Sequence, residues 1–221
     1  MNKILNLDGR VFEDSLGIIA DAKKKGVSFS EQPEPYKLRL FLKGELPLKE
    51  AQKIGQISVT TFDFNDGTNP SDLTKYYMED TDYVLTINDS EKIIGYAAGW
   101  AVGGLSNRLH HFGGAAVSRE HQGRGLYSLL NKTRLIVEPA QTIQTRTGNP
   151  KVVSALKNLA KLSGHTFYPN DDKTSDYVKA VIDWYYDKEP IRTGLVDPST
   201  LIWPNCYPDG TDGQLVYLVQ E

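Results

Sequence analysis

The sequence predicts a mixed α/β fold, with a mostly antiparallel sheet flanked by helices. Three observations point there. Between residues 82 and 117, three runs of strand-forming residues follow one another with only turns between them, which is the pattern of an antiparallel meander. From residue 126 the apolar period lengthens, and helix, strand, helix and strand alternate. At the switch, a turn rich in Gly and Arg joins a strand directly to a helix, as expected where helices cover a sheet.

Taken in order, residues 1–34 read as an N-terminal extension. Phe12, Leu16, Ile19 and Ala20 have helical spacing, and Ala22 to Gly26 reads as a helix end. Ser30 to Pro35 is a linker by its prolines. The main domain, 35–221, opens with an alternating strand, Tyr36–Leu42. Leu48, Ala51, Ile54 and Ser58 then mark a helix with Pro47 near its start, and Ser71 is a candidate N-cap for a short helix through Tyr77. The meander strands are Asp82–Ile87, Ile93–Val102 and Arg108–Val117, the last carrying Gly113-Gly114. Leu126, Leu129, Leu130, Thr133, Ile136 and Val137 form one face of a helix that Pro139 ends. Thr142–Arg146 is a strand, Pro150 opens a helix that Gly164 closes, and Thr166–Tyr168 is a short strand. A last strand, Gln214–Val219, follows an insertion at about 170–213 that contains a helix-like run, Ser175–Asp187.

The chain has 221 residues and a net charge of −3. It is long enough to bury a core without staples, and its acidic balance argues against a nucleic-acid partner. The single cysteine, Cys206, excludes an intrachain disulfide and a multi-thiolate zinc module, and suits a reducing compartment. No run approaches membrane-spanning length, so neither a signal peptide nor a membrane partner is expected, and a cytoplasmic location is.

The stretch that carries chemistry is Val117-Ser118-Arg119-Glu120-His121-Gln122-Gly123-Arg124-Gly125-Leu126-Tyr127. A strand ends, a glycine turn follows, and a helix begins. The first amides of a helix lack intrahelical partners, and the helix dipole favours an anion there. Gly123 and Gly125 let phosphate oxygens approach the backbone, and Arg124 adds donors. No Gly-Lys-Ser/Thr follows, so this is not a P-loop. The preceding meander excludes the dinucleotide fingerprint.

Gln122-Gly123-Arg124-Gly125-Leu126-Tyr127 resembles the acetyl-CoA loop of the GNAT superfamily of N-acetyltransferases, Gln/Arg-x-x-Gly-x-Gly/Ala. Gln122 and Gly125 match. Tyr127 stands where the family has a small residue. The order of elements over 36–169 fits as well, with Asn149 after the next strand. The resemblance implies acetyl-CoA as co-substrate, no metal, and a sheet splayed between its fourth strand (Leu109–Val117) and its fifth. It implies that the Val117 backbone contacts pantetheine. Gln122, Gly123, Arg124, Gly125 and Tyr127 would line the pyrophosphate site, and Asn149 would lie near pantetheine. Glycines 113 and 114 read either as a bulge or tight packing, or as room for the acyl chain or substrate.

The same resemblance implies an N-acetyltransferase moving acetyl to a primary amine by direct attack. The acceptor is of unknown size, and a homodimer is compatible with the fold. The family's acid, a tyrosine on the helix after the fifth strand, has no counterpart here. Its place falls on Leu156 or Ala160, and Tyr168, Tyr127 or water remain open as substitutes. For the base, His110 and His111 lie on the fourth strand with opposite faces. His111 shares parity with Gly113, Ala115 and Val117, and lies near where a branch of the family carries its base. It is taken over His110. Trp184 and Asp187, within an insertion rich in Asp and aromatics, are the candidate acceptor contacts. Two other function classes are a non-catalytic acyl-CoA-binding or regulatory module, favoured by the missing tyrosine, and a nucleic-acid-modifying relative.

Overall fold

The computed structural model describes residues 4–28, 36–62, 69–90, 92–101, 109–147, 149–168, 202–203 and 213–220. Trp184, Asp187, Cys206 and the run 175–187 lie outside the described residues. The fold is mixed α/β, and among strand pairs of described register only two are parallel. The chain divides into two compact units, Met1–Trp100 with Phe112–Pro139, and Ala101–His111 with Ala140–Glu221.

The first unit begins with a hairpin, β1 (Ile4–Leu7) and β2 (Arg10–Glu13). Its two-residue turn, Asp8-Gly9, has φ of 47° and 84°. Two left-handed residues in succession match the right-handed twist of the strands they join. Phe12 is therefore in a strand, and the helix expected to include it is shorter: α1, Ile18–Lys24. The Asp14 carboxylate caps it, accepting from the amides of Ile18 (2.5 Å) and Ile19 (3.1 Å). β3 (Val27–Ser28) pairs in parallel with β4 (Tyr36–Leu42). Two helices follow, α2 (Leu48–Phe62) and α3 (Pro70–Glu79). The cap of α3 is Asn69, whose side chain accepts from Ser71 N. The sequence-expected cap, Ser71, is one residue inside the helix because Pro70 takes its first position. The meander strands are β5 (Tyr83–Asp89), β6 (Lys92–Ala101) and β7 (Leu109–Val117), in the order β4-β5-β6-β7. Helix α4 (Leu126–Val137) completes this unit.

Two buried clusters cover the two faces. Leu5, Leu7, Ile18 and Ala22 join Leu38, Leu85, Val117, Leu126 and Leu129 in one, so the N-terminal segment is part of the core. Phe41, Ile54, Tyr77, Val84, Tyr96 and Ala116 form the other. Within the second, Ser58, Tyr77 and Tyr96 make a buried triangle of hydroxyls. Ser58–Tyr96 is 2.6 Å, Tyr77–Tyr96 2.8 Å and Ser58–Tyr77 3.1 Å. Ser58 donates its own proton to the Ile54 carbonyl at 2.8 Å. Two phenol protons then serve three edges. The consistent assignment is Tyr77 to Tyr96 to Ser58, which leaves the longest edge without a proton. Burial raises the pKa of both phenols and keeps them neutral.

The second unit holds the first three residues of β7 paired in parallel with β8 (Thr142–Thr147), from Leu109↔Thr142 to His111↔Gln144. Helix α5 (Pro150–Ser163) starts at the cap Asn149 and ends at Gly164, φ 71°. β9 (Thr166–Tyr168), β10 (Ile202–Trp203) and β8 each pair antiparallel with β11 (Gly213–Val219). β10 has no counterpart in the sequence reading.

Candidate functional site

The turn between β7 and α4 is built by local interactions. Gln122 Nε2 donates to the Val117 carbonyl at 2.9 Å, closing the turn onto the end of the strand. The Ser118 amide bonds the Ile94 carbonyl of β6 at 2.8 Å. Ser118 Oγ and His121 Nδ1 are 2.9 Å apart. Gly123 and Gly125 have φ of 77° and 74°, a region that L side chains rarely adopt. These two residues bring the chain into α4 with its first amides facing outward.

The first intrahelical bond of α4 runs from the Leu129 amide to the Gly125 carbonyl. The amides of Leu126, Tyr127 and Ser128 therefore lack helical acceptors, and Gly125 at the N-cap offers them no side chain. Helices α1, α3 and α5 are different, since Asp14, Asn69 and Asn149 supply a side-chain acceptor to each. Around the uncapped end lie positive groups. Arg124 Nη1 donates to the hydroxyl of Tyr36 on β4. The Lys25 side chain crosses Gly125, where an added Cβ would meet its Cε at 2.6 Å. Asp21 holds Lys25 and also Lys132, the latter at 2.8 Å. Burial pushes the Asp21 carboxyl up, but hydrogen bonds from Lys132 and Lys25 and their charges outweigh it, and the net pKa is lowered. With one carboxylate against two ammonium groups, the local balance stays positive. Lys25 and Tyr36 were missed in the sequence because they reach the turn from far along the chain.

Residues 51–133 match the family model described as Acetyltransferase (GNAT) family. The matched span includes the turn and both strand histidines. That stretch is similar to the GNAT acetyltransferases. No curated protein matches the chain. Among solved structures, the chain is similar to a diaminobutyrate acetyltransferase from Paenibacillus lautus, solved with L-2,4-diaminobutyric acid and coenzyme A. The TM-score is 0.51 at 12% identity, covering 83% of this chain and 95% of that one. It is also similar to the ribosomal-protein-S18-alanine N-acetyltransferase of Escherichia coli, with a TM-score of 0.53 at 14% identity, covering 83% and 94%. At these identities the likeness establishes the GNAT fold.

Within this fold, β7 passes close to aromatic side chains at its two glycines. A Cβ on Gly113 would sit 2.7 Å from Trp100 Cζ3, and one on Gly114 would sit 2.6 Å from the Tyr77 hydroxyl. Of the two readings of these glycines, the structure supports tight packing, because the space is already filled. The Tyr127 ring packs against the first buried cluster, so its bulk is directed into the core. His110 and His111 are both buried, and His111 Nδ1 lies 3.1 Å from Gln144 Oε1. With the amide oxygen accepting, Nδ1 carries the proton and the lone pair is on Nε2. Asn149, beyond the matched span, uses its side-chain oxygen to cap α5, accepting from Lys151 N at 2.9 Å. Leu156 and Ala160, at the places of the family's tyrosine, are each 1% exposed. Among the described residues, no helix is long and apolar enough to cross a membrane.

Proposed function

We propose that this chain is an acetyl-CoA-dependent N-acetyltransferase that moves the acetyl group to a primary amine by direct attack. The observation that carries the reading is the uncapped start of α4. Its donors face out through a turn held open by two left-handed glycines, and Arg124 and Lys25 stand beside it. That arrangement suits a pyrophosphate. Solved proteins of this fold include the diaminobutyrate and ribosomal-protein-S18-alanine acetyltransferases named above, which supports an amine as acceptor.

In the proposed reaction the neutral amine nitrogen bonds the acyl carbon and the carbon–sulfur bond breaks. The amine's proton passes to His111, and CoA leaves as a thiolate, a weak enough base to depart without a dedicated acid. Val117, Gln122, Gly123, Arg124, Gly125 and Tyr127 are assigned to donor binding, with Asn149 contributing on the pantetheine side.

A second reading, a non-catalytic acyl-CoA-binding module, is favoured by one observation: buried Leu156 and Ala160 occupy the tyrosine places. Free-thiol release from acetyl-CoA, measured with a panel of primary amines, separates the two when paired with CoA calorimetry. Amine-dependent release is expected. CoA binding without release from any amine supports the binding module. No CoA binding at all removes both readings.

A further inference from the structure

Four polar side chains stand in one row across the second unit. His111 of β7 lies opposite Gln144 of β8, Gln144 opposite Tyr217 of β11, and Tyr217 opposite Tyr168 of β9. Residues directly opposite one another on neighbouring strands project from the same face of a sheet, so the row runs along one face. All four are buried: His111 is 7% exposed, Gln144 2%, Tyr217 0% and Tyr168 6%. Buried strand positions favour apolar residues, and a polar one is costly there unless its hydrogen bonds are met.

The printed geometry within the row is the bond between its first two members. Gln144 Oε1 lies 3.1 Å from His111 Nδ1. An amide oxygen can only accept, so the proton of the neutral ring is held on Nδ1. Which ring nitrogen carries the proton is set by the partner of the other, and a general base needs its lone pair on the nitrogen that takes the substrate's proton. When Nε2 takes up a proton, Nδ1 keeps its own, and the same oxygen accepts from it before and after. A carboxylate in this place would also orient the ring, but its charge would favour the protonated form, which is no base. An amide orients without that charge.

We propose that Gln144 is a positioning residue for acetyl transfer. Its side-chain oxygen holds His111 as the Nδ1–H tautomer, so that Nε2 is the atom that takes the amine's proton. The inference rests on the transferase reading above, with His111 as base, and adds to it the side chain that makes this ring a base.

The test is the long-range 15N–1H spectrum of the histidine rings in the labelled full chain, which distinguishes the two tautomers, alongside steady-state kinetics and CoA calorimetry. The chain has four histidines, and His111→Ala identifies the ring by the signals it removes. Neutral His111 should have its proton on Nδ1. Gln144→Met replaces the amide with an apolar side chain of similar length. It should lose the Nδ1–H form and lower kcat by roughly 10–10², with CoA affinity within about twofold of wild type. Combined with His111→Ala, it should cost no more than His111→Ala alone. Gln144→Glu keeps an acceptor oxygen, and in alkaline buffer it should restore the Nδ1–H form and most of kcat, which a packing role would not do. Should Gln144→Met lose its dispersed amide spectrum, the tautomer of the wild-type ring and Gln144→Glu decide. An active wild type with the His111 proton on Nε2 overturns the inference and leaves the transferase reading standing. A folded Gln144→Met with unchanged kcat does the same. A wild type that binds no CoA, or releases no thiol with any amine, overturns both.

Discussion

The backbone at Gly114 passes close to two buried phenols, and this supports a quantitative prediction. An alanine Cβ there would lie 2.6 Å from Tyr77 Oη and 3.3 Å from Tyr96 Oη. Tyr77 is 3% exposed and its hydroxyl is bonded within the triangle, so it has no open space to retreat into. Gly114→Ala should cost about 2–3 kcal/mol by overpacking. For a chain of this size that is a Tm drop of roughly 4–12 °C. In a Tyr77→Phe background the offending oxygen is gone, and the nearest atom of that ring is Cζ at 3.5 Å, an ordinary contact. Tyr77→Phe alone should cost about 1 kcal/mol, because in the proton assignment Tyr77 only donates and its removal strands no donor. The double variant should then be about 1–2 kcal/mol more stable than the sum of the singles predicts. Thermal melts and urea titrations followed by circular dichroism measure all four corners of the cycle. Additivity within about 0.5 kcal/mol would refute the steric account of Gly114.

Gly125→Val should weaken CoA binding by at least about tenfold in calorimetry, since a β-branched residue at φ 74° is strained. The fold should survive, because only the flexible end of Lys25 must move. His111→Ala should lower kcat and flatten the acidic limb of the pH–rate profile at unchanged CoA affinity, whereas an active His111→Ala with an inactive His110→Ala would reverse the choice of base. Glu138 has its carboxyl pKa raised, first by burial and then by the charge of Asp82. A raised native pKa means stability is lost as pH rises through it. Glu138→Gln should therefore raise Tm near neutral pH and leave it unchanged in acid below the normal carboxylate range, and an equal Tm shift at both would sink the assignment.

What could be read in advance was local. Asn149, Pro150 and Gly164 punctuate α5 by chemistry within a few residues, and α5 runs between them as expected. The turn at Gly123 and Gly125 was legible for the same reason. The first thirty residues misled because an apolar spacing compatible with a helix outweighed the Asp8-Gly9 pair, whose conformational preference makes a hairpin. The N-cap of α3 slipped because the loop before it offers Asn69 and Ser71, and only Pro70 discriminates between them. Arg134 was invisible as a buried residue. On a helix, an arginine reads as a solvated charge until the carbonyls of Ala98 and Gly113 are seen to receive it. Lys25 and Tyr36 were invisible because no local pattern encodes a partner 88 residues away, the separation of Tyr36 from Arg124.

The core role of the N-terminal segment bears on the order in which the chain is made. Leu5, Leu7, Ile18 and Ala22 leave the ribosome long before α4, yet they share a buried cluster with Leu126, Leu129 and Leu130. Asp21 must wait for Lys132, 111 residues later. Until α4 is synthesised, the hairpin and α1 have only part of their burying surface, and loop-closure entropy opposes the contacts that complete it. During that interval the nascent chain exposes an amphipathic hairpin and helix to the cell. A truncated product ending before α4 would thus carry a half-covered apolar face throughout its life.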